Sequence, residues 1–253
     1  MPAFLQGLFA AASFLSRLAP ARVLPDGALS RSVPWYPLVG CVLGVFATAA
    51  AMIWPLFSPL FITTWIWPAA WTYTLLLAWL TRGLHWDGFA DIADALGSGK
   101  HGEGFRHVLK DSRIGAFGAL ALAFGLVGQI VLAASCLEQG DIGALVWAPL
   151  FGRMLIVILA RGAKPHPSAV LGALVRPGAG GFGAAAAVLL SLCAGFFLAG
   201  PPTFLLGAVF AVPGMGILFS LAKREGGLSG DFFGAAVIWG ELSALCAGAL
   251  LHL

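Results

Sequence analysis

The chain has 253 residues, of which 60% are hydrophobic and only 10% are charged, and its mean hydropathy is +0.94. These values lie far outside the range of soluble globular proteins, so they exclude that class and indicate an integral membrane protein. The net charge of +3 is small, and no nucleic-acid partner is expected from it.

The first 18 residues predict a helix that lies in the membrane interface. They contain no basic residue before their apolar stretch, and Arg17 follows that stretch instead of preceding it. A cleaved signal peptide has the opposite order, so we expect this segment to stay on the protein as an amphipathic helix.

Apolar stretches of transmembrane length then recur along the chain. They predict seven spans, at about 36–57, 60–81, 114–137, 142–160, 182–200, 203–222 and 232–252. The predicted fold is therefore an all-α polytopic membrane bundle, forming one domain over residues 1–253, with a short acidic helix on its cytoplasmic side. The small residues Gly40 and Gly44 indicate close helix packing in the first span. The four cysteines have no metal-ligand spacing and are interpreted as packing residues.

The basic residues follow one pattern relative to these spans. Thirteen of the 14 Lys and Arg residues precede span one or lie between spans two and three, four and five, or six and seven. The opposite loops contain no Lys or Arg. The positive-inside rule therefore predicts a cytoplasmic N-terminus and places Leu253 on the far side.

The segment between spans two and three contains three aspartates at i, i+4 and i+7, namely Asp87, Asp91 and Asp94. This spacing places all three carboxylates on one helix face. Neighbouring carboxylates ~6 Å apart repel by roughly 2–3 kcal/mol at an effective dielectric constant of about 20. A bound divalent cation would relieve this repulsion, and hard divalent cations such as Mg²⁺ take oxygen ligands of this kind. A solvated face beside a basic loop is the alternative.

The same segment ends with further charged residues before the third span. Asp111 is a candidate fourth carboxylate for the metal, and Lys110 and Arg113 are candidate phosphate-binding residues. His85, just before the acidic face, is either a packing residue or part of the site.

Two more groups of charged residues complete the candidates. Lys223, Arg224 and Asp231 flank a glycine-rich turn that leads into span seven, where an anion could bind. Asp231 is alternatively an N-cap. Arg153 and Glu241 lie inside spans four and seven at comparable depth, so either they pair or they line a polar cavity.

Together these segments resemble the cobalamin synthase family, adenosylcobinamide-GDP ribazoletransferase. The similarity spans nearly the whole chain and rests on three ordered motifs, HWDGFADIADA at 85–95, KDSRIGAFG at 110–118, and GGLSGD at 226–231 with Glu241. The segments FLSRL at 14–18 and WYPLVG at 35–40 are similar to the family's opening. Trp86 and Ser229 depart from the family pattern conservatively.

The resemblance implies a Mg²⁺-dependent transfer reaction at the cytoplasmic face of the bacterial inner membrane. A hydroxyl of α-ribazole, or of its 5′-phosphate, would attack the cobinamide-bound phosphate of adenosylcobinamide-GDP and release GMP. Asp87, Asp91, Asp94 and Asp111 are the implied metal ligands, and Asp87, Asp91 or Asp231 the implied catalytic carboxylates. The implied substrate-binding residues are His85, Lys110, Arg113, Arg153, Lys223, Arg224 and Glu241. Partners besides these small molecules are the lipid bilayer and, as an open possibility, further copies of the chain.

Two other functions are compatible with an acidic membrane bundle. A CDP-alcohol phosphotransferase also uses a multi-Asp helix, but its motif carries an Ala-Arg dipeptide soon after the second Asp, whereas Asp91 is followed by Ile92, Ala93 and Asp94. A transporter would place its acidic residues near mid-membrane in paired halves. Most acidic residues here cluster at one face, and only Arg153, Glu241 and the Pro213 kink favour the transporter.

Overall fold

The computed structural model of the protein describes residues 2–20, 23–57 and 65–251. Within these ranges the chain is helical and contains no β-strand. Its helices are α1 (Ala3–Leu15), α2 (Ala28–Ser32), α3 (Tyr36–Ala51), α4 (Ile66–Leu80), α5 (Leu84–Gly97), α6 (Glu103–Leu109), α7 (Ala116–Glu138), α8 (Ile142–Gly162), α9 (Val170–Val175), α10 (Phe182–Leu198), α11 (Pro201–Arg224) and α12 (Gly230–Leu250). Short 3₁₀ turns at Val33–Trp35, Trp54–Leu56 and Arg176–Gly180 adjoin α3 and α9.

Five helical stretches of the described chain are long and apolar enough to cross a membrane. They are Ala28–Leu56, which includes α3, and the helices α7, α8, α11 and α12. They correspond to predicted spans one, three, four, six and seven, so the predicted all-α membrane bundle is confirmed.

The other two predicted spans differ from the expectation. The fifth corresponds to α10, which is joined to the segment Val170–Gly180 at a bend of 81°, so this pair forms either a broken span or a re-entrant loop. The second corresponds to α4, whose 15 residues extend only about 22 Å, less than the ~30 Å hydrocarbon core. Residues 60–64 of that prediction lie outside the described residues. Among the described residues the number of spans is therefore five, or six with the bent pair, against the seven predicted.

Helices α8 and α12 form the centre of the bundle and are the most buried of the long helices. They pack against each other, and α3 covers the other side of α8. Gly40 and Gly44 make the α3–α8 approach possible, because a Cβ on either glycine would lie within 2.5 Å of a carbonyl oxygen of α8. The close packing predicted from these two glycines is confirmed.

The N-terminal segment and the far-side hairpins have well-defined ends. Helix α1 matches the predicted N-terminal helix and packs against α2. Helices α7 and α8 are joined through Gly140 (φ +72°), and Asp141 caps α8 by accepting a hydrogen bond from the Ala144 N–H at 2.9 Å. Gly200 and Pro201 make the next hairpin on that side. All four cysteines are free thiols.

Candidate active site

The acidic helix α5 crosses the start of α12 at a pair of glycines. A Cβ on Gly88 would lie 2.9 Å from the Asp231 Cα, and one on Gly234 would lie 3.2 Å from the Gly88 Cα. Only hydrogen side chains allow backbones to approach this closely. Because Gly88 lies between Asp87 and Asp91 along α5, the crossing brings Asp231 beside both carboxylates.

This crossing changes the pKa of Asp91, whose side chain is half-buried. The pKa of Asp91 is raised to about 7, chiefly by burial and then by the charges of Asp87, Asp231 and Asp94 in that order of size. Four carboxylates from two helices therefore share one acidic cluster, which we define as Asp87, Asp91, Asp94 and Asp231. A site that destabilises its own negative charge in this way favours binding of a cation.

Asp94 has a structural role within this cluster. Its Oδ2 accepts a hydrogen bond from the Gly115 N–H at 2.8 Å, and its Oδ1 accepts one from the Gly118 N–H at 2.7 Å. A Cβ at either glycine would lie within 2.4 Å of this carboxylate, so both positions need glycine. Asp94 thus caps the N-terminus of α7 from another helix. Asp87 and Asp91, which lie on the same helix face, accept no such hydrogen bonds in the described structure.

The structure does not add Asp111 to the acidic cluster. Its carboxylate pairs with Arg113, at 2.8 Å between Oδ2 and Nη2 and 3.0 Å between Oδ1 and Nε. Hydrogen bonds from the Arg113 side chain and backbone lower the pKa of Asp111 to about 2. The expectation that Asp111 returns to the acidic helix is therefore corrected, because a nearer cation already holds it.

Glu225 organises the loop between α11 and α12. It accepts hydrogen bonds from the Arg224 Nε at 2.6 Å and the Gly102 N–H at 2.7 Å, and its Oε1 lies 3.3 Å from the His101 Nδ1. Although burial raises the pKa of Glu225, these hydrogen bonds outweigh it and lower the value below the usual range. Arg224 is thus held by a carboxylate, whereas the exposed Lys223 lies beside a cavity of about 480 Å³.

Arg106 is a residue of this region that the sequence analysis did not single out. Its Nη2 donates to the backbone oxygens of Glu225 and Gly227, the latter at 2.8 Å. Burial lowers the pKa of Arg106, whereas the charges of Glu225 and Asp231 act in the opposite direction. The only signal in the sequence was its place in the basic loop, which it shares with four other cations.

Arg153 and Glu241 form a buried ion pair between α8 and α12, with side chains 1% and 3% exposed. The Gln129 Nε2 of α7 donates to the Glu241 Oε2 at 2.8 Å. Of the two sequence interpretations, the structure favours pairing. His85 is also buried, and its pKa is lowered well below the usual value by burial and by the charge of Arg153. These three residues therefore lie in the bundle interior, and their role in substrate binding stays a prediction.

The donor chemistry of the acidic cluster fits Mg²⁺ bound together with a substrate. In the ranges that the structure describes, no group of three or more His, Cys, Asp or Glu residues is arranged to hold a metal alone. Mg²⁺ does not require such a cage, since it commonly binds one or two carboxylates, several waters and the substrate's phosphates. Asp87, which is exposed, and Asp91, which is half-buried, are the carboxylates available for this arrangement.

Comparison with known proteins identifies the family of the chain. The sequence profile described as cobalamin-5-phosphate synthase matches residues 7–249. A protein of Nitratidesulfovibrio vulgaris (strain DSM 19637 / Miyazaki F) named adenosylcobinamide-GDP ribazoletransferase is 44% identical over 240 residues, covering 95% of this chain and 93% of the relative. A protein of Klebsiella pneumoniae (strain 342) with the same name is 33% identical, covering 96% and 99%.

No solved structure matches the chain. The matched range of the family profile, residues 7–249, contains the three motifs at 85–95, 110–118 and 226–231. Of the three functions compatible with the sequence, these comparisons favour the ribazoletransferase over the CDP-alcohol phosphotransferase and the transporter. The chain belongs to the cobalamin-5-phosphate synthase family.

Proposed function

We propose that this protein is an adenosylcobinamide-GDP ribazoletransferase of the bacterial inner membrane, with its active site at the cytoplasmic face. The observation that carries the proposal is the acidic cluster, in which α5 and the first turn of α12 place four carboxylates together. Family membership and the names of the relatives support the reaction, and the distribution of Lys and Arg along the sequence supports the orientation.

The reaction transfers the cobinamide phosphate group from GMP to the hydroxyl of α-ribazole or α-ribazole 5′-phosphate. Such transfers depend on positioning and on electrostatic stabilisation of the phosphates. Bound Mg²⁺ would neutralise charge on the diphosphate and on the leaving GMP. Asp87 and Asp91 would hold it, and Asp94 would fix the helix that carries them by anchoring α5 to α7.

The chain's own residues would supply the remaining functions. Lys110 and Lys223 are exposed and make no ion pair within the described part of the chain, so both are available to phosphate oxygens. The attacking hydroxyl must lose a proton, and a carboxylate that does not hold the metal suits this role. Asp231 lies beside Asp87 and Asp91 and would be that acceptor.

The test is turnover of adenosylcobinamide-GDP with α-ribazole 5′-phosphate by the purified, membrane-reconstituted protein, measured as GMP release. We expect Asp87→Asn and Asp91→Asn each to lower turnover by more than about 100-fold, since even outer-shell changes at metal sites typically cost about 10–100-fold. Excess chelator should also stop turnover. Asp26→Asn, an exposed aspartate far along the chain from the cluster, is the matched control. Wild-type turnover in both variants, or undiminished turnover in chelator, would contradict the proposed metal site.

A further inference from the structure

Two segments of the chain, the loop after α8 and helix α6, contact the turn that precedes Asp231. The Leu228 N–H donates to the Lys164 oxygen at 2.9 Å, and the His166 N–H donates to the Leu228 oxygen at 3.0 Å. Arg106 of α6 donates to the Gly227 oxygen at 2.8 Å. The loop after α8, the helix α6 and the turn 225–228 therefore form one connected surface.

The turn itself is held tightly against His166. Gly226 and Gly227 have φ values of +79° and +134°, which side chains rarely adopt. A Cβ on Gly227 would lie 2.4 Å from the His166 backbone nitrogen. The position of His166 relative to Asp231 is thus set by the backbone, and it does not depend on a flexible side chain alone.

The surface is cationic, and it borders the acidic cluster. Burial lowers the pKa of His166, and the charges of Arg106 and Lys110 lower it further. The Arg106 charge also acts on Asp231. Two permanent cations and an imidazole therefore lie together on one side of Asp231, with the other carboxylates on α5.

Hydrogen-bond donors remain available on this surface. The His166 Nδ1 accepts from the Ser168 N–H at 3.1 Å and lies 2.8 Å from the Ser168 Oγ. The neutral ring consequently carries its proton on Nε2, which is a donor. The Arg106 Nε is a buried donor that has no hydrogen-bond partner among the described residues.

We propose that Arg106, Lys110 and His166 form a phosphate-binding subsite next to the acidic cluster. This proposal rests on the proposed function, in which a diphosphate and a phosphate monoester are both substrates. A diphosphate bound at the carboxylates through Mg²⁺ still presents phosphate oxygens that need donors, and a guanidinium, an ammonium and an imidazole N–H are suited to them. The bound phosphate belongs either to the guanosine nucleotide or to α-ribazole 5′-phosphate.

The experiment compares His166→Gln and Lys110→Gln with wild-type protein in nanodiscs. Calorimetric titration gives the Kd for GMP and, separately, for α-ribazole 5′-phosphate, and steady-state assays give KM and kcat. We expect each variant to weaken one of the two ligands by about 10-fold, the loss of one hydrogen bond to a charged group. KM for the corresponding substrate should rise more than kcat falls.

The matched controls are His107→Gln and Lys100→Gln, which change the same residue types at exposed positions in α6 and just before it. Weakening of GMP alone assigns the subsite to the donor, and weakening of α-ribazole 5′-phosphate alone assigns it to the acceptor. Wild-type Kd values for both ligands in both variants would overturn the subsite, as would equal losses in the controls. Arg106 is not the first choice for substitution, since it also holds the turn.

These outcomes are separate from those of the proposed function. If wild-type protein released no GMP from adenosylcobinamide-GDP, the function would fail, while the titrations would still decide whether the surface binds phosphate. If Asp91→Asn lost turnover and His166→Gln kept wild-type binding and KM, the subsite alone would fail.

Discussion

At the scale of single residues, Asp91 is a carboxyl whose ionisation the fold disfavours. Its carboxyl is half-buried, and three other aspartates surround it. Its pKa of about 7 means that ionisation is disfavoured in the folded protein compared with the unfolded chain, where the pKa is 3.8. The stability that protonated Asp91 contributes is fully present below the unfolded value and is lost as the pH rises through about 7.

The resulting prediction concerns stability against pH without metal. In chelator, the unfolding temperature of the reconstituted protein should fall between pH 5 and pH 8. Asp91→Asn, which cannot ionise, should show a flatter profile and a higher unfolding temperature at pH 8. Added Mg²⁺ should raise the wild-type unfolding temperature at pH 8 more than at pH 5, since the cation competes with the proton. A profile in Asp91→Asn as steep as in wild type would contradict the assignment.

At the scale of secondary-structure elements, polar contacts fix how the helices meet. Asp94 of α5 caps α7, and the Arg153–Glu241 pair joins α8 to α12, with Gln129 adding α7. Each contact satisfies groups that would otherwise be left without partners in a low-dielectric region. Two of these helices, α5 and α12, carry the acidic cluster, so the contacts help to set its geometry.

The cap predicts graded effects at Asp94. Asp94→Ala should lower the free energy of unfolding by about 1–2 kcal/mol, the upper part of the range for lost caps. Asp94→Asn should lose less, because the amide keeps one acceptor oxygen. Asp87→Asn is the control, since it removes a charge from the same helix without removing a cap. Equal stability changes in Asp94→Asn and Asp87→Asn, measured by denaturant titration, would argue against the cap.

The buried pair predicts non-additive effects. Arg153→Met or Glu241→Leu alone leaves an uncompensated buried charge and should cost about 3–5 kcal/mol. The double variant should cost much less than the sum, because no charge remains. A double-mutant cycle of unfolding free energies in detergent measures this coupling. Additive costs would mean that the two side chains do not act as a pair.

At the scale of the whole molecule, the bundle has one chemically distinct end. The acidic cluster, the start of α7 and the turns after α8 and α11 meet there, whereas Gly140 and Gly200 form the hairpins at the opposite ends of their helices. Most Lys and Arg residues of the sequence belong to the first group of segments. We therefore expect this end to face the cytoplasm.

Labelling with a membrane-impermeant maleimide tests that orientation. In a background with all four native cysteines replaced by serine, Glu138→Cys should react in intact spheroplasts. Lys100→Cys, on the acidic-cluster side, should react only after permeabilisation. The reverse pattern would show that the protein has the opposite orientation in the membrane. The proposed active site would then lie on the wrong side for cytoplasmic nucleotides.

The sequence by itself determined the class of the molecule and the chemistry of its site. Hydropathy identifies the long helices, because lipid requires apolar stretches of fixed length. The i, i+4, i+7 spacing places Asp87, Asp91 and Asp94 on one face, because helix geometry is local. The bend before α10 was not predicted, since length and hydropathy say nothing about how a broken segment packs.

Only the tertiary structure decided which charged residues work together. The crossing at Gly88 and Gly234 brings Asp231 to the acidic cluster, and the packing of α7 takes both oxygens of Asp94. Asp111 is held by its neighbour Arg113, while Arg106 and His166 join the surface beside Asp231. The physical reason is that charge interactions depend on distances between helices and loops, and those distances follow from packing contacts far apart in sequence.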